Sequence, residues 1–221
     1  MSDPQGDPPG EGLAQRLRAD AAPIREACLR HPFVRGIADG SLPPEVFARW
    51  VRQDWLYLRR YVEVLEQAAE RAPTPEATER WGELHALTVD HELDLHRAFA
   101  ARFELTAEAL DATEPYAATT AYGQFLLQSA GVSYPVLVAA LLPCGVGYAA
   151  LAEELAAGPE PADGRYADWI RTYDDPAFRE AVAWMEGELE RHVADLSLVE
   201  ATYAAGAQHE LAFWDALWAG G

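Results

Sequence analysis

The stretch Ala139-Ala140-Leu141-Leu142-Pro143-Cys144-Gly145-Val146-Gly147-Tyr148 sets a thiol among residues that an apolar helix tolerates badly. A proline in a helix interior removes one backbone hydrogen bond and crowds the preceding turn, at a cost of about 3 kcal/mol. Each glycine costs about 1 kcal/mol relative to alanine. A helix built only for packing has little reason to collect them. Beside a sulfur they would open backbone space for a ligand, so Cys144 is the candidate nucleophile, with Tyr148 one turn later on the same face. The competing reading is a small buried cysteine at a kink.

Two carboxylates could serve that thiol. Asp54 lies in Gln53-Asp54-Trp55-Leu56-Tyr57, and Trp50, Asp54, Tyr57 and Tyr61 fall on one helical face at offsets of four, seven and eleven. An acid among aromatic residues either pairs with an arginine, for which Arg52 and Arg59 are near, or holds a polar ligand group. Glu210 shares a face with Phe213 and Trp214. Apolar surroundings raise a carboxyl pKa and let the group exchange protons near neutrality, whereas a solvated helix face would leave it ordinary.

A cluster of His85, Asp90, His91, Glu92, Asp94 and His96 suggests a metal, as does the helical spacing of Glu188, His192 and Asp195, which Glu92 and His96 could complete. The first cluster is not an HExxH motif, and His91 and His96 spread around a helix. Amphipathic surfaces give such patterns more often, so no metal site is expected.

The elements that must position these groups are helical. The spacing predicts helices over Leu13–Arg30 with a bend near Pro23, from Pro43-Pro44-Glu45 to Arg71, and from Thr74-Pro75-Glu76 to Phe103. It predicts others over Thr119–Gly131, Ser133–Ala157 and Tyr166–Thr172, then from Asp175-Pro176 to Asp195 and from Ser197 to Trp218. The strongly apolar middle of the fifth makes it central. The expected fold is an all-α, single-domain bundle of about eight helices spanning 13–221, after a disordered tail over 1–12 that is rich in Pro, Gly and acid.

Composition bounds the chemistry. The 221 residues carry 17 basic and 36 acidic side chains and a net charge of −19. That balance argues against nucleic acid and against anionic membranes, and favours a neutral or cationic small ligand. No uninterrupted apolar stretch reaching the roughly 18–20 residues of a bilayer span is expected, nor a signal peptide, so a cytoplasmic location is expected. All 17 basic residues are arginines, and lysine is absent. Schiff-base chemistry, lysine-anchored pyridoxal phosphate, the P-loop and the protein-kinase nucleotide site are thereby excluded. Asparagine is absent too, which removes a Cys-His-Asn triad. With only Cys28 and Cys144, two reduced thiols are the simplest reading.

Read in order, His31-Pro32-Phe33-Val34-Arg35-Gly36-Ile37-Ala38-Asp39-Gly40-Ser41-Leu42-Pro43, Gln53-Asp54 with Tyr57, Ala121-Tyr122, Ala140-Leu141-Leu142-Pro143-Cys144 with Tyr148, Thr172-Tyr173, and Glu210 with Phe213-Trp214 resemble the TenA family. This family, also called thiaminase II or aminopyrimidine aminohydrolase, has a haem-oxygenase-like fold. The resemblance covers roughly residues 13 to 218. It implies that Cys144 is the nucleophile, that Glu210 contacts the pyrimidine and shuttles protons, and that Asp54 holds the aminopyrimidine edge. Tyr57, Tyr122, Tyr148, Tyr173 and Phe213 then form the aromatic pocket. It further implies a thiamin-salvage hydrolase that needs no cofactor, releases hydroxymethylpyrimidine from an aminomethylpyrimidine or thiamin, and assembles as a tetramer. Many members carry a bulky aromatic residue after the cysteine, where this chain has Gly145-Val146-Gly147, which implies a pocket of different shape. The alternatives are a metal-dependent oxidase or cofactor-biosynthesis enzyme on the same fold, and a non-catalytic pyrimidine-binding or regulatory protein.

Overall fold

The computed structural model describes residues 12–103 and 105–221, and the tail expected over 1–12 lies outside them except for Gly12. Among the described residues every regular element is helical. The chain runs through α1 (Leu13–Asp20), α2 (Ala22–Arg30), α3 (Pro32–Asp39), α4 (Pro44–Arg71), α5 (Pro75–Leu87), a π-helical turn (Thr88–Glu92) and α6 (Leu93–Ala101). It continues with α7 (Ala107–Asp111), α8 (Ala117–Ala130), α9 (Tyr134–Ala156), α10 (Gly164–Tyr173), α11 (Pro176–His192) and α12 (Leu196–Ala219).

Twelve helices among the described residues replace the expected eight or so, for local reasons. The first expected helix divides at Ala21, where Pro23 sits in the opening turn of α2 and needs no amide partner. The short α3 starts where the His31 ring accepts from the Phe33 amide (3.2 Å) and stops at Gly40, whose φ of 76° is left-handed. The expected helix over Thr74–Phe103 keeps its start, with Thr74 Oγ1 accepting from the Ala77 amide at 3.1 Å. It is then interrupted by the π turn, a feature that apolar spacing does not disclose.

The central element is α9, which packs against α12, α11, α8, α10 and α4. Its length and apolarity would suffice to cross a membrane, contrary to the expectation from sequence. The interspersed Ala, Gly, Pro and Cys residues hide the length of this run. Leu137 to Leu142 have no exposed surface, and other helices of the bundle bury them. Around α9 the buried side chains form two clusters, one containing Tyr57, Tyr122 and Leu141, the other Trp50, Tyr148 and Trp214. Cys144 and Phe178 pack against both, which sets the thiol at the seam between them.

Candidate active site

Helix α9 runs through Pro143 without a break. The proline ring sits against Gly206 of α12, where an added Cβ would lie 2.7 Å from the ring Cγ. At Gly145 a Cβ would lie 2.9 Å from Val182 Cγ2 of α11. The breakers thus draw two neighbouring helices against α9 beside the thiol, and Val182 takes much of the space that they were expected to leave open. At Gly147 an added Cβ would meet nothing within 4 Å, and this residue borders a second cavity behind the helix.

In front of α9 lies a small cavity bounded by Asp54, Tyr57, Leu58 and Tyr61 of α4, Cys144, Gly145 and Tyr148 of α9, Tyr173 of α10 and Phe178 of α11. Asp54 is buried. Tyr148 donates to its Oδ1 over a long 3.5 Å, and Trp50 Nε1 donates to the Tyr148 hydroxyl at 3.1 Å. Its other oxygen, Oδ2, is 2.7 Å from Nε2 of His96 on α6, a fully buried ring. That separation is short, though the N–H points off the ideal hydrogen-bond line. The expected alternative partner Arg59 turns instead to Asp111, at 3.1 Å. A carboxylate removed from water needs such a compensating group. His96→Leu is expected to destabilise the fold by about 3 kcal/mol, because it strands a buried charge. A lowered urea midpoint would report this, and adding Asp54→Leu should restore most of the loss.

Glu210 approaches the thiol from α12. It is buried, its Oε1 accepts from the Tyr122 hydroxyl at 2.5 Å, and the Cys144 thiol lies close enough to favour its charged form. Burial pushes the Glu210 pKa up to about 7, with the Asp54 charge adding to the rise and the bonds to Tyr122 and Cys144 opposing it. A carboxyl poised there can accept a thiol proton at neutral pH, since an ordinary thiol titrates near 8.5. Tyr57 is buried on the cavity wall, and its hydroxyl meets no partner in good hydrogen-bond geometry, apart from a weak interaction with Tyr122. It is a donor that a ligand can satisfy.

Of the eight site residues expected from sequence, Asp54, Tyr57, Cys144, Tyr148 and Tyr173 line this one cavity. Tyr122 and Glu210 stand behind it, bonded to each other beside the thiol. Phe213 packs behind Tyr57, with ring centroids 6.3 Å apart, and does not line the cavity. Sequence reasoning missed the pairing of His96 with Asp54, the roles of Trp50 and Tyr61, and Phe178. Periodicity had placed Trp50 and Tyr61 on the Asp54 face of α4 without giving them a role.

The rear cavity touches Cys28, Gly147 and Glu210. Burial, followed by the charges of Glu210 and Asp215, pushes the Cys28 thiol up to about 12. Cys28 therefore stays protonated at neutral pH. Four residues of the metal reading are otherwise engaged. Glu188 pairs with Arg191 (2.7 Å) and His192 (3.0 Å), Asp195 caps α12 and His96 faces Asp54. No three such side chains converge among the described residues. The side chains of His91, Glu92 and Asp94 lie outside the described residues.

The profile of the TENA/THI-4/PQQC family matches residues 18–220. The aminopyrimidine aminohydrolase of Halalkalibacterium halodurans is 34% identical over 210 residues, covering 92% of this chain and 94% of that one. The aminopyrimidine aminohydrolase of Bacillus subtilis is 33% identical over 171 residues, covering 77% and 72%. A solved structure, the TenA homologue protein from P. horikoshii OT3, superposes with a TM-score of 0.88 at 28% identity, over 96% of this chain and 100% of that one. An all-helical bundle with a thiol, a carboxyl near neutrality and an aromatic wall around one cavity thus coincides with a match over nearly the whole length: the chain belongs to the TENA/THI-4/PQQC family.

Proposed function

We propose that this protein is a cysteine-dependent aminopyrimidine hydrolase of thiamin salvage. The observation that carries the reading is the convergence of Cys144 with the buried Asp54, Tyr57, Tyr148 and Tyr173 on one cavity, with the buried Glu210 beside the thiol. The relatives named for this activity supply the substrate class.

In this reading Asp54 accepts from the exocyclic amine of the ring, and the tyrosines hold the ring faces. Glu210 takes the Cys144 proton, and the sulfur adds to the ring carbon beside the one that bears the side methylene. The electron pair moves to a ring nitrogen, which Glu210 protonates. Return of those electrons expels the leaving group from the methylene. Water then adds to the methylene and the sulfur departs, recovering the thiol. For an aminomethylpyrimidine the balance is R–CH2–NH2 plus water giving R–CH2–OH plus ammonia. Thiamin gives the same alcohol, a neutral thiazole and a proton.

Incubating the purified protein with the aminomethylpyrimidine should release hydroxymethylpyrimidine and ammonia in equal amounts, detected by mass spectrometry and an ammonia assay. Absence of both products at neutral pH would reject the reading. Asp54→Asn presents an amide N–H2 to the ring amine, and is expected to raise KM with a loss of about 1–3 kcal/mol of binding. The family resemblance also leads us to expect a cytoplasmic tetramer, with a light-scattering mass four times the 24.3 kDa chain.

A further inference from the structure

Glu210 lies between two cavities. It lines the rear one, behind α9, and not the front one, whereas Cys144 lines the front one and not the rear. Arg18 of α1, at the outer end of the rear cavity, is 45% exposed, and Glu210 at the inner end is 7% exposed. The cavity therefore runs from the surface to the carboxyl. The space open to the centres of water molecules within it is about 40 Å³. On that measure a buried water needs about 10–15 Å³, with two to four polar partners, so about three waters fit. Arg25 of α2, Tyr203 of α12 and Glu210 bring polar groups to the walls, between the apolar surfaces of Ile24, Val146 and Leu151.

Gly147 keeps this space open. Gly145 and Gly206 answer to the close approach of Val182 and of the Pro143 ring. Gly147 has no such reason: an added Cβ meets nothing within 4 Å, and its φ is not positive. A glycine inside a helix lowers stability relative to alanine, and nothing in the packing requires this one. It does border the rear cavity, where a longer side chain would stand in the passage.

The front cavity cannot give Glu210 the same access once a ring is bound. The titratable groups that face Glu210 are Tyr122 of α8, Asp54 and Tyr57 of α4, Cys144 and Tyr148 of α9, and Cys28 of α2. All but Cys144 are buried, and Cys144 opens on the cavity that the ring fills. We infer that the rear cavity is a solvent port, a short file of water through which Glu210 exchanges its proton with bulk solvent while a ring closes the front. The inference rests on the hydrolase reading and adds a path to it. Cleavage of thiamin leaves one proton in the site at each turnover, and this path releases it before the alcohol departs.

The test times that exchange directly. Rapid mixing with heavy water near pH 5 shifts the infrared C=O stretch of protonated Glu210, a band identified by its loss in Glu210→Gln. Hydroxymethylpyrimidine closes the front cavity. Gly147→Leu closes the rear one, and Ala21→Phe, at the partly exposed mouth between α1 and α2, does so without altering α9. Gly82→Leu is the control, since Gly82 is exposed on α5 and a Cβ there also meets nothing within 4 Å. Thermal melts verify that the variants fold. The ligand alone and either rear substitution alone should leave the exchange rate within twofold of wild type. Ligand and rear substitution together should slow it at least tenfold, while Gly82→Leu with ligand follows the wild-type protein. A tenfold slowing of the wild-type protein by ligand alone makes the front the sole route and overturns the port. So does a doubly closed protein that exchanges at the wild-type rate. Either result leaves the hydrolase reading intact, because release of product judges it separately. A protein that does not bind hydroxymethylpyrimidine ends both.

Discussion

Cys144→Ser is expected to lower kcat/KM for the aminomethylpyrimidine by about 10³-fold or more, while the affinity for hydroxymethylpyrimidine stays within a few-fold of wild type. The substitution is nearly isosteric, so the ring-binding wall of Asp54, Tyr57, Tyr148 and Tyr173 is retained. What changes is the acid. Glu210, near 7, can take a proton from a thiol but is too weak a base for a serine hydroxyl. The oxygen is also a harder and less polarisable attacker on an electron-poor ring. Cys28→Ser serves as the control, because a thiol held near 12 gives no thiolate at neutral pH. Alkylation at pH 7.5 should accordingly place one label per chain, on Cys144, as read by peptide mass spectrometry. Residual turnover in Cys144→Ser within tenfold of wild type would refute the nucleophile assignment.

The helix starts were legible because their signals are local. Thr74 and Asp175 cap helices with their own side chains, and Pro44, Pro75 and Pro176 occupy positions that need no amide partner, whereas Asp195, read as the end of α11, caps α12. The grouping of Asp54 with Tyr57 was legible through helical periodicity within α4. The pairing of Asp54 with His96 was not, because it joins α4 to a helix beyond an unforeseen π turn, and no spacing rule spans that interruption. Gly145 shows the limit most clearly. Its residue type read as space for a ligand, and only the fold shows that Val182 of α11 takes that space. The functional order of Cys144, Asp54 and Glu210 came from a family pattern, since a thiol and a carboxylate that meet across α9 and α12 carry no signal in either helix alone.

Glu210→Gln should separate activity from stability. The amide keeps the shape and still accepts from Tyr122, yet it cannot take the Cys144 proton, so kcat/KM is expected to fall about 10²–10⁴-fold. The wild-type kcat/KM should rise with pH through about 7 as Glu210 ionises, and the variant should lose that limb. Stability moves the other way. The folded pKa of about 7 lies above the unfolded 4.5, so the folded state holds the proton more tightly between these values. The stabilisation is complete below about 4.5 and is lost as pH rises through 7. Across that interval the loss, at about 1.4 kcal/mol per pH unit, reaches about 3 kcal/mol. Glutamine titrates nowhere in the range. The urea midpoints of the two proteins should therefore agree near pH 4 and diverge by pH 8, with the inactive variant the more stable. A wild-type midpoint that keeps pace with the variant up to pH 8 would show that Glu210 carries no strained charge, and would remove it as the base for Cys144.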